Sequence, residues 1–232
     1  MQQHRTGAVS AGLNRDLVEL IQSMILTGEI APGERIRPRE ILEQYGVSHI
    51  PLREALRTLE AEGLVVSIPR RGARAASVSM PELREVYLLR RLVEPPLVAE
   101  AVRRRTAPDS AAAREAFQRM EGIDSTDTSG YLRAHREFHL TLLHPAIGPL
   151  ARRLIDQLWI ISERYLRLGI AAYHVDLPAR GDHRRLVELY DAGEAGAIEA
   201  ATLHHLELVE GTIREQLRRS SDPALKESTT PR

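Results

Sequence analysis

Apolar residues recur at helical spacing along most of this chain. The strongest period is Leu52, Ala55, Leu56 and Leu59, one apolar stripe on a helix. His49, Arg53 and Arg57 stand four apart on another face and point outward together. Ser48 precedes this helix as an N-cap whose side-chain oxygen can accept from an orphan N–H of the first turn. Pro51 falls in that first turn, where a missing N–H costs little. Gly63 sits where a left-handed C-terminal residue is wanted. A shorter helix, Arg39–Tyr45, comes before it and ends at Gly46. Leu64–Ile68, the turn Pro69–Gly72 and Ala73–Val78 follow as strand, basic turn and strand. Helix, Gly turn, helix with a basic outer face, then a β-wing is the winged helix-turn-helix pattern. The alternative is an ordinary amphipathic helix hairpin with solvated arginines. It makes the wing, the Gly turn and the arginine placement coincidences.

Upstream, Leu13, Leu17, Leu20, Ile21 and Met24 predict an amphipathic helix over Leu13–Thr27, closed by Gly28. Residues 1–11 are small and polar and are expected to be loose. Ala31–Gly33 reads as a turn, and Arg35–Arg37 as an extended link or small strand. Downstream, Ser79-Met80-Pro81-Glu82 is a capping box that opens a new helix. The domain boundary is placed there. Residues 12–78 form the winged-helix domain, 79–219 an all-helical domain, and 220–232 a polar tail. In the second domain Glu82–Arg105 is a helix that Pro95-Pro96 should kink. Asp109 or Ser110 caps an Ala-rich helix running to about Gly122, and 124–130 is a polar loop. Tyr131–His144, Leu150–Ala172, Pro178–Ala192 and Ala195–Arg218 are the remaining helices. The expected fold is mostly α: an N-terminal winged helix-turn-helix with a small β-wing, then an all-α bundle.

Composition narrows the function. A chain of 232 residues can hold two small domains, each with its own core. The formal net charge is zero, so DNA binding must rest on local patches. These are Arg35, Arg37 and Arg39, then Arg53 and Arg57, then Arg70, Arg71 and Arg74. The absence of cysteine excludes disulfides and thiolate metal sites and permits a reducing cytoplasm. No signal-peptide core or bilayer-length apolar run is present, so a cytoplasmic protein with no membrane partner is expected. Aromatic residues are only 4% of the chain, which disfavours a stacking platform for single strands.

Nine histidines are present, and four have organised spacing. His135 and His139 are four apart and share a helix face. The midpoint between His183 and His205 falls at Glu194, flanked by Gly193 and Gly196. If the chain reverses there, each histidine lies about eleven residues, or roughly 16 Å, from the turn. An antiparallel hairpin then brings the two level. Two helical His pairs can face across a bundle core and hold one metal ion. The bland alternative is a set of hydrogen-bonded core or surface histidines. A His-x-x-x-His metalloprotease needs Glu directly after the first His, and Arg136 fills that place. Glu137 points away, about 200° round the helix. No serine elbow or phosphate-cradling Gly loop is present. The chain reads as a binding protein, not an enzyme.

Val47-Ser48-x-x-Pro51-Leu52-Arg53-Glu54-Ala55-Leu56 and Leu59-Glu60-Ala61-Glu62-Gly63-Leu64-Val65 resemble the signature of GntR-type bacterial transcription regulators. Gly28-Glu29-Ile30-x-Pro32-Gly33-Glu34-Arg35-Ile36 is similar to the same family's approach to its second helix. The helical part resembles the FCD domain of the FadR-like branch at Leu89-Arg90-x-Leu92-Val93-Glu94, Arg136-Glu137-Phe138-His139, Asp182-His183-Arg184-x-Leu186 and His205-Leu206. The resemblance implies a homodimer on a roughly palindromic DNA operator. Arg39, Ser48, His49, Arg53 and Arg57 are the implied DNA-facing residues, with Arg71 and Gly72 reading the minor groove from the wing. His49 stands where the family usually has Arg. His139, His183 and His205 match the three histidines with which the family binds a divalent metal, and His135 replaces its acidic ligand. Imidazole donors favour zinc, with nickel possible. The resemblance also implies a small organic-acid effector at the metal. Arg90, Arg164 and Tyr165 are candidate contacts, since a carboxylate needs a cationic or hydroxyl partner. The rival reading is a regulator or binding module in which the ion itself is the signal.

Overall fold

A computed structural model describes residues 3–124, 126–173 and 180–221, with side chains at 14–124, 126–167 and 181–219. The expected tail beyond Ser221 and the expected helix start at Pro178 lie outside the described residues. The chain divides into two compact units, residues 1–78 and 79–232.

The first unit holds α1 (Gln3–Thr27), α2 (Pro38–Tyr45), α3 (His49–Ala61), β1 (Val65–Ile68) and β2 (Gly72–Ala75). The first helix starts at Gln3, before the expected start at Leu13. No proline interrupts 3–13, and a helix already nucleated over Leu17–Ile25 can propagate back through it. Leu17, Ile21 and Ile25 of α1 pack with Leu52, Ala55 and Leu59 of α3, all buried. Burying such a side chain stabilises by about 1.5–3 kcal/mol each. Gly46 is left-handed (φ 63) and ends α2; Gly63 is left-handed (φ 75) after α3. Leu64 N–H bonds back to Leu59 C=O at 2.9 Å, closing the helix end. The wing is an antiparallel pair with Val65 opposite Ala75 and Ile68 opposite Gly72. The Arg35 stretch is the extended-link alternative: it forms no strand, and only Arg35 bridges Arg74 beside β2.

The second unit holds α4 (Met80–Arg104), α5 (Ala107–Glu121), α6 (Thr128–Leu143), a 3-10 turn (His144–Ala146), α7 (Pro149–Tyr173), α8 (Arg180–Ala192) and α9 (Ala195–Ser221). Ser79 caps α4 by accepting from Glu82 N–H at 3.3 Å. Pro95 and Pro96 do not end that helix. Pro95 is buried, and packing of α4 on α9 and α7 holds the helix through the missing hydrogen bonds. The α5 cap is Thr106, not Asp109 or Ser110. Asp109 sits at the third helical position and reaches back to Thr106 N–H and Oγ1 at 2.7 and 2.6 Å. Asp127 caps α6 by accepting from Gly130 N–H at 2.8 Å, so α6 starts before Tyr131. Gly193 is left-handed (φ 83) and turns α8 into α9.

Candidate nucleic-acid interface and candidate metal centre

In the first unit the outer face of α3 carries His49, Arg53 and Arg57, all outside the buried stripe. Arg53 is 67% exposed. Arg57 pairs with Glu54 at 3.0 Å on the same surface. Ser48 holds the N-cap backbone geometry (φ −94, ψ 169) but makes no capping bond, which corrects the expected cap. Its hydroxyl and the first α3 amides therefore face outward, where a helix N-terminus attracts phosphate. Arg39 lies in the first turn of α2. The wing turn is closed by Arg71 N–H to Ile68 C=O at 2.9 Å. Arg70 has φ 62 and Gly72 φ 82. The first is a strained state for arginine, tolerated here beside Pro69, which suits the preceding turn position. These are the elements that present Arg39, Ser48, His49, Arg53, Arg57, Arg71 and Gly72. Arg53→Ala is expected to weaken operator binding by about 1–3 kcal/mol and relax base preference at one position. A binding assay at fixed salt checks it, and unchanged affinity with unchanged preference refutes the role.

In the second unit the four spaced histidines meet. His135 and His139 come from α6, His183 from α8 and His205 from α9. One nitrogen from each lies within 4.8 Å of the others, and all four side chains are buried. Ring centroids are 4.6 Å apart for His135–His139 and 4.7 Å for His183–His205. The Gly193 turn is what brings the second pair level. His135 Nε2 and His183 Nε2 stand 3.1 Å apart. Donors on a tetrahedral ion with bonds near 2.1 Å lie about 3.4 Å apart, close to that spacing. His135 Nδ1 and His139 Nε2 are buried and have no hydrogen-bond partner among the described residues. Buried polar atoms are rarely left so, and an ion or ligand is one explanation. The donors fit a divalent ion of borderline softness.

The walls are aromatic. Trp159 lies 5.5 Å from His135 and 5.1 Å from His139, and Phe138 lies 5.2 Å from His139. Asp182 approaches His205 Nδ1 at 3.7 Å, longer than a hydrogen bond. The carboxylate still favours a proton on Nδ1, which leaves Nε2 as the donor. His205 in turn holds the Asp182 carboxyl below the usual carboxylate range. Sequence reasoning did not single out Trp159, Asp182 or Thr202 as site residues. Thr202 is buried one turn before His205 on α9, its hydroxyl without a hydrogen-bond partner among the described residues, and its helical spacing was the available signal.

The candidate effector contacts separate. Arg90 lies over the Trp159 ring, 4.1 Å from its centroid, at the wall of the histidine cluster. Its charge is already matched by Glu94, at 2.6 and 3.3 Å. Arg164 and Tyr165 are bonded elsewhere. Arg164 Nη2 meets Glu82 at 2.8 Å, and Tyr165 Oη donates to Glu82 and accepts from Ser79 N–H at 3.2 Å. Burial, with Glu82 adjacent, pushes the Tyr165 phenol up to about 12. α7 thus carries Trp159 against the histidines and, less than two turns later, two side chains that hold the start of α4.

Burial holds His135 and His139 well below their ordinary value of 6.5, and His205 below it. In the unfolded chain each titrates near 6.5. As pH falls the unfolded chain takes up protons first, so the metal-free fold is fully stabilised above about 6.5 and loses stability below it. Thermal melts of metal-free protein across this window should show a falling midpoint. A flat profile would mean that the rings are not buried and neutral.

Comparison with known proteins agrees with this architecture. Residues 13–75 match the family described as bacterial regulatory proteins, gntR family, and residues 85–208 match the FCD domain. The chain is 27% identical over 199 residues to the HTH-type transcriptional regulator BphR of Paraburkholderia xenovorans, covering 81% of this chain and 80% of that one. It is 27% identical over 172 residues to the HTH-type transcriptional regulator McbR of Escherichia coli, covering 68% and 78%. The solved structure of E. coli McbR/YncC superposes with a TM-score of 0.78 over 88% of this chain and 98% of that one, at 21% identity. No described helix is long and apolar enough to cross a membrane. With a winged helix-turn-helix that presents a basic reading face, an FCD bundle behind it in sequence and both family models matched, the chain belongs to the gntR family of bacterial regulatory proteins, and is a DNA-binding transcription regulator.

Proposed function

We propose that the protein binds a roughly palindromic operator as a homodimer, and that a metal-bound small organic acid in the FCD domain sets its affinity for DNA. The convergence of four buried imidazoles from three helices carries this reading. His135, His139, His183 and His205 would hold the ion, zinc by donor chemistry and nickel next. The ion would supply a positive charge that four neutral imidazoles leave uncompensated, and so attract a carboxylate. Among the described residues Trp159 Nε1 and Thr202 Oγ1 are buried without hydrogen-bond partners, and each could meet an effector oxygen directly or through water. Arg90 would line the effector side while staying paired to Glu94. Tyr165 and Arg164 suit a different task, holding the first turn of α4 beside the chain boundary at Val78–Ser79. A shift of α7 under Trp159 would reach that turn and change the presentation of the DNA-reading heads. Leu88 and Leu92, 50% and 64% exposed on α4, offer apolar surface for a second copy.

Operator affinity measured with and without zinc, and with and without small organic acids, tests this. An organic-acid response that requires zinc is expected. A response to zinc alone would favour the rival reading, in which the ion is the signal; a fully imidazole donor set with no carboxylate is compatible with it. No response to either would refute both.

A further inference from the structure

We propose that Arg35, which lies outside the two DNA-reading helices, is a further DNA contact and works from the wing. Eight arginines lie between residues 35 and 74, and the structure sorts them. Arg37 is tied to Glu40 at 2.9 Å and Arg57 to Glu54 at 3.0 Å. Arg53 has Glu54 at 3.8 Å. Arg74 donates to Gly33 C=O at 3.0 Å and is half-buried. Among the described residues no carboxylate pairs with Arg35, Arg39, Arg70 or Arg71. Three of these four belong to the wing. Arg70 and Arg71 sit on its turn, and Arg35 is built onto its outer strand.

The attachment of Arg35 is rigid. Gly33 N–H bonds to Ala75 C=O at 3.1 Å, Ala75 N–H to Glu34 C=O at 2.9 Å, and Ile36 N–H to Ala73 C=O at 3.0 Å. These bonds frame a single antiparallel bridge between Arg35 and Arg74 on the free side of β2. Ile36 points into the core at 1% exposure, so the alternation of a strand turns Arg35 outward. Its Nε and Nη2 lie 3.8 Å from where a Cβ on Gly72 would stand. The guanidinium is therefore laid along the glycine that closes the wing turn, next in sequence to Arg71. Gly72 has φ 82, which other residues rarely adopt, and its bare backbone leaves this side of the turn open.

Like charges held on one turn without carboxylates repel each other, and a polyanion relieves that repulsion. The ligand chemistry that fits is a run of backbone phosphates. A wing arginine entering a narrow minor groove meets the strongest negative potential there. A second guanidinium one strand over is placed to meet a phosphate on the wall of that groove. Arg35 would thus add affinity and register, with no sequence information of its own.

The test is a salt titration of DNA binding by Arg35→Ala, Arg35→Lys and Arg119→Ala in the full chain, on an operator duplex and on a random duplex. Arg35→Ala should weaken both duplexes by roughly tenfold and lower the log–log salt slope by about 1, the signature of one lost phosphate contact. Arg35→Lys should restore the slope. Arg119→Ala, an exposed arginine of α5 in the other unit that is paired with Glu137 at 2.7 Å, should leave slope and affinity near those of the unsubstituted protein. A normal slope and affinity in Arg35→Ala overturns the proposal. So does weakened binding at an unchanged slope with a lowered melting temperature, which would make Arg35 a wing support only. An equal loss in Arg119→Ala also overturns it, since bulk charge would then explain the effect.

Discussion

Replacing Arg90 with alanine should destabilise the helical unit by about 3–5 kcal/mol, the usual cost of breaking a buried ion pair from one side. Arg90 and Glu94 are each 2% exposed. Arg90 donates to both Glu94 oxygens, at 2.6 and 3.3 Å, and to Ser162 Oγ at 3.3 Å. Its guanidinium also lies over Trp159. Burial alone would lower the Arg90 pKa, but the Glu94 charge and hydrogen bond outweigh it and raise it. Removing the arginine strands a carboxylate in the bundle interior and removes the stack on Trp159. Urea denaturation of Arg90→Ala, Glu94→Ala and the double variant would show it. The double variant should be less damaged than the sum of the singles, because no uncompensated charge remains. A cost under about 1 kcal/mol for Arg90→Ala would mean that the pair is solvated and not a core element.

His139→Ala combined with His183→Ala should abolish stoichiometric metal binding and with it any effector response. The double change removes one donor from α6 and one from α8, so the remaining two imidazoles cannot enclose an ion. Operator binding without effector should survive if the metal is regulatory, because the DNA-reading elements lie in the other unit. Metal analysis and calorimetry decide this, with the helical circular-dichroism signal as the check on folding. Metal retained at full stoichiometry would sink the site. Metal lost with the effector response intact would sink the coupling between them.

Much of the fold was legible because local patterning and tertiary need agree in it. The stripe Leu52–Ala55–Leu59 marks α3, and Gly46 and Gly63 mark the ends of α2 and α3, since only a left-handed residue fits there. The Ser79–Glu82 box marks the start of α4 for the same kind of local reason. The spacing of His183 and His205 about Gly193 has one geometric consequence in an antiparallel hairpin, and the rings lie level. The sequence by itself thus determined the elements, the winged-helix pattern and which four histidines could share one face of the bundle.

What only tertiary structure decided involves partners far apart in the chain. Nothing near Tyr165 in sequence says that its hydroxyl reaches Ser79 and Glu82, 86 and 83 residues away. That contact turns Arg164 and Tyr165 from candidate effector ligands toward a role at the α4 start. Arg90 was legible as a charge but not as half of a buried pair, because Glu94, one turn away, could equally have faced solvent. The Ser48 hydroxyl could cap α3 by local rules and does not. Pro95-Pro96 could end α4 by local rules and does not, because packing against α9 and α7 outweighs two lost backbone bonds. Arg35 was one of eight arginines between residues 35 and 74, and pairing elsewhere together with an isolated β-bridge to Arg74 beside β2 sets it apart. Local periodicity specifies what each segment is; which charges remain unpaired, and where, follows only from long-range contacts.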